Sequence, residues 1–254
     1  MTGTLVERRI QVEVAGIRMH ARTLVHERSS LSPAVLVHGW GVSSRYLMPL
    51  ARRLAAARDV FVPDLPGHGA SGHPSRALPI GALADVLLRW MDETALERPL
   101  LVGNSMGCQV IVDLAARHPE RVDAAILLGP TLHDEHGIVR QGLHLLADIP
   151  RERPSLIPLV AWDYLRMGPR LLIQELRHMF ADRMLEKAAQ VRARCLVVRG
   201  ERDPVVPREW AERVAAALHA LPVREVRGQG HALNYSAAEE LMPVIAPFLD
   251  EVSP

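Results

Sequence analysis

Cysteine is scarce in this sequence, with only two among 254 residues, and its scarcity excludes a disulfide-built fold. Cys108 and Cys195 are instead expected to be two separate buried thiols. Long apolar runs are also missing, because no uninterrupted stretch approaches the roughly 18 residues that a transmembrane helix requires. Residues 1–11 carry charged side chains where a signal peptide has its apolar segment, which predicts a cytoplasmic protein.

An excess of either charge is absent as well. Lysine and arginine number 30, aspartate and glutamate 29, and the two signs are interleaved along the chain. This balance gives no reason to expect a nucleic acid or an anionic membrane surface as a partner, so a small-molecule substrate is favoured. The composition is that of a globular protein, and the length suits one domain with a full core, with or without an inserted lobe. The oligomeric state is left open.

Apolar runs and helical patterns alternate along most of the chain. Residues 5–25 alternate polar and apolar side chains, which predicts an antiparallel hairpin. Continuous apolar runs, typical of parallel strands covered on both faces, follow at 34–37, 59–63, 99–103, 123–129 and 195–199. Helical patterns lie between them at 43–57, 80–94, 106–117 and 207–220. The alternation predicts a doubly wound, parallel α/β sheet.

The alternation stops between residues 131 and 190, where no strand pattern but two amphipathic helical patterns occur. The second has one apolar face, made of Leu172, Leu176, Met179 and Phe180. We interpret this segment as a helical lid inserted into the sheet domain. The predicted organisation is therefore an α/β core in two parts, 1–130 and 191–254, with a lid at 131–190.

The serine at position 105 stands in a pattern that carries chemistry. Gly103 and Gly107 flank Ser105 at G-x-S-x-G spacing, after an apolar strand and before a helical pattern. The turn from a strand directly into a helix is so tight that small residues must flank the serine. The strain of this turn holds the serine hydroxyl clear of the backbone. Ser105 is therefore predicted to be a nucleophile.

A serine nucleophile requires a histidine base and an acid that orients it. Asp203 follows the apolar run at 195–199, at the sheet edge where ligands of α/β proteins gather, and His231 follows the last predicted strand, at 223–226, in a glycine-rich loop. The order serine, aspartate, histidine is that of α/β-hydrolases. Asp134, which follows the preceding strand, is the alternative acid.

The loop from His38 to Gly41, with the sequence His-Gly-Trp-Gly, directly follows the strand predicted at 34–37. Attack on an acyl group creates an oxyanion that fixed donors must meet, and in such a site one backbone N–H comes from this loop and the other from the residue after the nucleophile. Trp40 and Met106 are the predicted donors. For His38 we favour a role in packing and loop stabilisation.

Four potential metal ligands stand together at residues 133–136, with the sequence His-Asp-Glu-His. In structural and catalytic metal sites, the ligands usually lie at helical spacing along one helix or come from separate elements. A solvated loop accounts for this run, and no metal or other cofactor is predicted.

Taken together, these motifs resemble those of the α/β-hydrolase superfamily. The resemblance rests on the His-Gly-Trp-Gly loop, the elbow and the runs at 64–72, 117–122 and 200–203, and it covers essentially the whole chain outside the lid. It implies an eight-stranded, mostly parallel sheet with a lid after the sixth strand. Epoxide hydrolases and haloalkane dehalogenases of this fold carry aspartate at the elbow, so Ser105 disfavours those activities.

The leading hypothesis is hydrolysis of a small to medium carboxylic ester through an acyl-enzyme on Ser105. Asn104, Phe180 and Leu233 are predicted to contact the substrate.

Two alternatives stay open. The elbow from Asn104 to Gly107 resembles that of hydrolases that cleave carbon–carbon bonds in meta-cleavage products, although the segments after Gly41 and after His231 depart from their pattern. A lid arginine would then meet the substrate carboxylate, the candidates being Arg166, Arg170 and Arg177. The other alternative is a ligand-binding protein that has kept the hydrolase architecture without efficient catalysis.

Overall fold

The computed structural model describes residues 5–26, 31–130, 144 and 147–252. Its strands are β1 (Leu5–Val14), β2 (Ile17–His26), β3 (Ala34–Val37), β4 (Val60–Pro63), β5 (Leu100–Asn104), β6 (Ala124–Leu128), β7 (Arg194–Gly200) and β8 (Arg224–Val226). They form one eight-stranded sheet in the order β1-β2-β4-β3-β5-β6-β7-β8.

Most neighbours in this sheet run parallel. The exceptions are the β1–β2 hairpin and the β2–β4 pair, which are antiparallel. The hairpin turns at Ala15 and Gly16, both with positive φ. The eight-stranded, mostly parallel sheet that the sequence and the resemblance predicted is confirmed.

Helices cover both faces of the sheet. They are α1 (Ser44–Leu54), α2 (Ile80–Glu93), α3 (Met106–Arg117), α4 (Leu156–Ala181), α5 (Met184–Ala188), α6 (Arg208–Ala217), α7 (Leu233–Ser236) and α8 (Ala238–Glu251). One core lies between the sheet and α2, α3 and α6, the other between the sheet and α1 and α8. Within β3, Val35 and Val37 enter the first core while Ala34 and Leu36 enter the second, because side chains alternate across a strand.

The sequence patterns did not reveal α8. It contains Pro243 and Pro247, and proline inside a helix removes a backbone hydrogen bond and crowds the preceding turn. The helix forms nevertheless, because Leu241, Ile245 and Phe248 are buried in the second core. Tertiary packing here outweighs the local preference of the chain.

Helices α4 and α5 lie between β6 and β7, which is the place the resemblance implied for a lid. We call the described residues 147–190 the insert. Helix α4 is kinked at Gly168, whose φ of 78° and ψ of 154° are not helical, and Pro169 opens its second half. Among the described helices, none is long and apolar enough to cross a membrane.

Both cysteines are buried free thiols, as predicted. Cys195 lies in β7 and Cys108 in α3. Burial raises the pKa of Cys195 to about 12 and that of Cys108 further still, so both are protonated at neutral pH.

Candidate active site

Ser105 occupies a strained turn between β5 and α3. Its φ of 55° and ψ of −119° lie outside the regions that side chains favour. A Cβ on Gly107 would lie 2.2 Å from the carbonyl oxygen of Val37, and one on Gly103 would lie 2.8 Å from the carbonyl carbon of Gly107. Both positions therefore require glycine, and the G-x-S-x-G spacing follows from backbone contact.

His231 and Asp203 form a buried pair. His231 Nδ1 lies 2.8 Å from Asp203 Oδ2, and each residue is less than one tenth exposed. The other carboxylate oxygen, Oδ1, accepts the amides of Val205 and Val206 at 2.8 and 3.0 Å. Because a carboxylate can only accept a hydrogen bond, Nδ1 carries the proton. In the neutral ring, Nε2 then has a free lone pair. Nε2 is buried and has no partner among the described residues.

The end of β6 joins the serine to this pair. The Ser105 amide donates to the carbonyl of Leu128 at 3.0 Å. A Cβ on the next residue, Gly129, would lie 2.9 Å from Cε1 of His231 and 3.4 Å from Oδ2 of Asp203. The three predicted triad residues therefore gather at the carboxyl ends of β5, β6 and β7, as expected of an open α/β sheet.

The charge of Asp203 sets the protonation of His231. Burial favours the neutral imidazole, but the charge and hydrogen bond of Asp203 raise the pKa of His231 to about 9, with smaller contributions from the charges of Asp148 and Glu152. A base of raised pKa binds a proton readily, which suits a group that must take one from a serine hydroxyl.

The loop after β3 lies beside Ser105. A Cβ on Gly39 would approach Cβ of Ser105 to 3.2 Å, so the loop and the nucleophile are in direct contact. Neither of the predicted oxyanion donors, the amides of Trp40 and Met106, makes a backbone hydrogen bond outside helices and strands in the described part of the chain. Within the described ranges, no such contact occupies either amide.

His38 stabilises this loop from within. Its Nε2 accepts the amide of Leu65 at 3.0 Å, which leaves Nδ1 as the donor to the carbonyl of Gly39 at 2.8 Å. Burial, with the neighbouring His68 adding to the effect, lowers the pKa of His38 to about 3. The ring is therefore neutral, in agreement with the packing role inferred from sequence.

The predicted substrate-contact residues lie in three different environments. Asn104 is buried at the end of β5, where Nδ2 donates to the carbonyl of Leu128 at 3.2 Å and Oδ1 has no partner among the described residues. Leu233 is buried in the core between the sheet and α1, two residues after the histidine. Phe180 is half-buried near the end of α4. Substrate contact by these residues stays a prediction.

The insert packs directly on the loop that carries Trp40. The indole Nε1 of Trp40 donates to the carbonyl of Leu172 at 3.0 Å, and the hydroxyl of Ser43 donates to Asp163 at 2.7 Å. A Cβ on Gly41 would lie 2.5 Å from the ring of Tyr164. The position of α4 is thus tied to the geometry of the predicted oxyanion loop.

Two acidic side chains of the insert reach the histidine loop, and sequence reasoning did not find them. Asp148 and Glu152 bind the backbone amides of His231 and Ala232. They lie in a segment with no motif and no strand register, so no pattern predicts which way they point. Another buried contact to the insert joins His68 Nε2 to Glu175 at 3.0 Å.

The lid arginines proposed from sequence as carboxylate ligands lie on the surface. Arg166, Arg170 and Arg177 are all exposed. Asp134, the alternative acid, and the run at 133–136 lie outside the described residues. Within the ranges that the structure describes, no group of three or more histidine, cysteine, aspartate or glutamate side chains is placed to hold a metal ion.

Comparison of the sequence with protein-family models identifies the family. A family model described as "alpha/beta hydrolase fold" matches residues 33–163, which is more than half of the chain. The chain belongs to the α/β hydrolase fold family. A second model, described as "TAP-like protein", matches residues 180–250 of this α/β hydrolase.

Two curated relatives of this α/β hydrolase are named as an esterase and a hydrolase. A pimeloyl-[acyl-carrier protein] methyl ester esterase of Aromatoleum aromaticum is 39% identical over 95 residues, 37% of this chain and 36% of that protein. A 2-hydroxymuconate semialdehyde hydrolase of Pseudomonas sp. strain CF600 is 34% identical over 126 residues, 47% of this chain and 42% of that protein. The matched segments thus span less than half of the length of each relative.

Solved structures show the same fold over nearly the whole chain. A crystal structure described as a membrane phospholipase A superposes with a TM-score of 0.83 at 22% identity, covering 97% of this chain and 86% of that one. At this identity the likeness establishes architecture and not substrate.

Proposed function

We propose that this α/β hydrolase is a serine esterase that cleaves small to medium carboxylic esters through an acyl-enzyme on Ser105. The observation that carries the proposal is the buried His231–Asp203 pair, 2.8 Å apart, with the Nε2 lone pair unpartnered in the described residues. Beside it, Ser105 is held in a strained turn that keeps its hydroxyl clear of the backbone.

The proposed reaction follows from this arrangement. Ser105 Oγ attacks the ester carbonyl while its proton passes to Nε2 of His231, and Asp203 stabilises the imidazolium. The amides of Trp40 and Met106 donate to the oxyanion. The alcohol then leaves with the proton from His231. Water attacks the acyl-enzyme with His231 again as base, which releases the acid and restores Ser105. The scheme requires no metal or cofactor.

The organisation predicted from sequence is part of this proposal. Residues 1–130 and 191–254 are the two parts of the catalytic core, and residues 131–190 form a helical lid over it. The packing of α4 on the loop of Trp40 and Ser43 supports this division, since a lid must touch the site that it covers. Asn104, Phe180 and Leu233 are retained as proposed contacts of the bound acyl group or its surroundings.

A panel of p-nitrophenyl esters of increasing acyl length tests the proposal. We expect turnover of short and medium esters, abolished by Ser105→Ala. The matched control is Ser32→Ala, because Ser32 is an exposed serine far along the chain from the elbow. Full activity of the Ser105→Ala variant would overturn the assignment. Tight binding of a ligand without turnover of any ester would favour the non-catalytic alternative instead.

Carbon–carbon bond cleavage is the second candidate. Oδ1 of Asn104, next to the nucleophile in sequence, is buried without a partner among the described residues, and this favours it together with the relative named 2-hydroxymuconate semialdehyde hydrolase. The exposure of Arg166, Arg170 and Arg177 counts against it, because these were the proposed ligands of the substrate carboxylate. Faster turnover of a coloured meta-cleavage product than of simple esters would decide for this candidate.

A further inference from the structure

Two carboxylates of the insert bind the backbone on which His231 is mounted. Asp148 Oδ1 and Oδ2 accept the amide of His231 at 3.1 and 3.2 Å, and Glu152 Oε1 accepts the amide of Ala232 at 2.8 Å. Glu152 also accepts the hydroxyl of Ser236. Consecutive amides of the histidine loop are therefore both held by the insert, across 83 and 80 residues of sequence.

The two carboxylates meet at Gly230. A Cβ on this residue would lie 2.6 Å from Oδ1 of Asp148 and 2.7 Å from Oε1 of Glu152, so the absence of a side chain lets both approach the main chain. Asp148 is only 6% exposed. Placing two acids side by side with so little water is unfavourable, and a nearby positive charge offsets the repulsion.

We propose that Asp148 and Glu152 are positioning residues for His231: they fix the loop that carries the imidazole against Asp203, and their charges stabilise the imidazolium formed when Ser105 is deprotonated. The inference rests on the proposed function, since it assigns a role relative to the base. It also makes the insert part of the catalytic assembly, because the base is held in place only while residues 148–152 are seated on its loop.

The surroundings of the pair support this role. In the described part of the chain, the titratable groups that face the pair are His231 and Asp203 from the sheet edge and Tyr46 from α1. Burial, with the charge of Glu152 adding to it and that of His231 opposing it, raises the pKa of Asp148. The guanidinium of the neighbouring Arg151 donates instead to the carbonyl of Ala147.

Neutral and truncated variants separate the two parts of the role. Asp148→Asn keeps an oxygen that can accept the His231 amide but removes the charge. We expect the low-pH inflection of kcat/KM to fall by about one pH unit, because the imidazolium loses a stabilising carboxylate. Asp148→Ala also removes the acceptor, and we expect kcat to fall by about tenfold or more, because the base is no longer fixed. Glu152→Gln should shift the inflection in the same direction.

Asp163→Asn is the matched control. Asp163 is another buried carboxylate of the insert, but it binds Ser43 and Arg45 and not the histidine loop. We expect it to leave the pH inflection in place, even where it lowers thermal stability. A shift as large as that of Asp148→Asn would overturn the inference, because it would show a general effect of loosening the insert.

A measurement without substrate keeps this inference separate from the proposed function. In the Ser105→Ala background, NMR of labelled histidine gives the pKa of His231 directly, with and without Asp148→Asn. A lower pKa in the double variant supports the inference whatever the enzyme hydrolyses. An unchanged pKa, with ester turnover still dependent on Ser105, would overturn the inference and leave the proposed function standing.

Discussion

Gly129 lies against the imidazole of His231, so close that a Cβ at this position would come within 2.9 Å of Cε1 and 3.0 Å of Nδ1. Its φ of 54° also places it in the left-handed region that side chains disfavour. Gly129 thus supplies no side chain to the site, yet it leaves the space in which the histidine ring lies against Asp203.

Gly129→Ala is therefore expected to displace the imidazole from Asp203 and to lower kcat/KM by about 10²-fold, as small misplacements of catalytic groups do. Gly228→Ala is the matched control, since Gly228 also has positive φ but a Cβ there would meet nothing within 4 Å. Both variants carry a backbone strain of about 1–2 kcal/mol, and Gly129→Ala should lose further stability because its Cβ also meets the imidazole. Equal kinetics in the two variants would contradict the proposed packing.

The pH dependence of ester hydrolysis should report the state of His231. Burial opposes protonation, but Asp203 outweighs it and raises the pKa of His231 to about 9. The base acts in its neutral form, so kcat/KM should rise as the pH rises through the alkaline range and level off above the pKa. Initial rates with a non-ionising ester from pH 5 to 10 check this. A profile already flat from pH 6 upward would contradict it.

Trp40→Phe separates the side chain of Trp40 from its amide. The amide that we assign to the oxyanion hole remains, so kcat should stay within a few-fold of wild type. The hydrogen bond from the indole to the carbonyl of Leu172 is lost, which should lower the free energy of unfolding by about 1 kcal/mol. Kinetics and urea denaturation on the same preparation measure the two effects. A fall in kcat near 10²-fold would assign the side chain a direct role.

Asp64 should stabilise the fold in a pH-dependent way. Burial opposes its ionisation, but hydrogen bonds from His20 and from the amides of Ala70 and Ser44 lower the pKa of Asp64 to about 2. A depressed pKa stabilises the fold above the unfolded value near 4, and this contribution disappears as the pH falls toward 2. Asp64→Asn should therefore cost about 2 kcal/mol at pH 7, and progressively less in denaturation curves taken between pH 4 and 2. A difference independent of pH would contradict this origin.

Much of this architecture could be predicted from sequence because its signals are local. The run Ala34–Val37 is apolar because both faces of β3 are covered, and glycines are required around Ser105 because a Cβ there would lie 2.2 or 2.8 Å from backbone atoms. Helix α8 was missed because Pro243 and Pro247 obscure its pattern, and only the core that it covers stabilises it.

The insert shows where sequence reasoning stops. Asp148 and Glu152 are ordinary acids in a segment without a motif, and their contact with the His231 loop arises from how the insert packs on the core. Under the carbon–carbon alternative, one lid arginine was expected to meet the substrate carboxylate, but the candidates Arg166, Arg170 and Arg177 lie exposed. Side-chain direction in such a segment depends on tertiary contacts, which local periodicity does not encode.

The central claim, a covalent intermediate on Ser105, is tested most directly by intact-mass and peptide mass spectrometry after treatment with a fluorophosphonate. We expect one adduct per chain, mapped to the peptide that contains Ser105. The adduct should be absent in Ser105→Ala and much slower to form in His231→Ala. An adduct on another residue, or equal labelling of the Ser105→Ala variant, would contradict it.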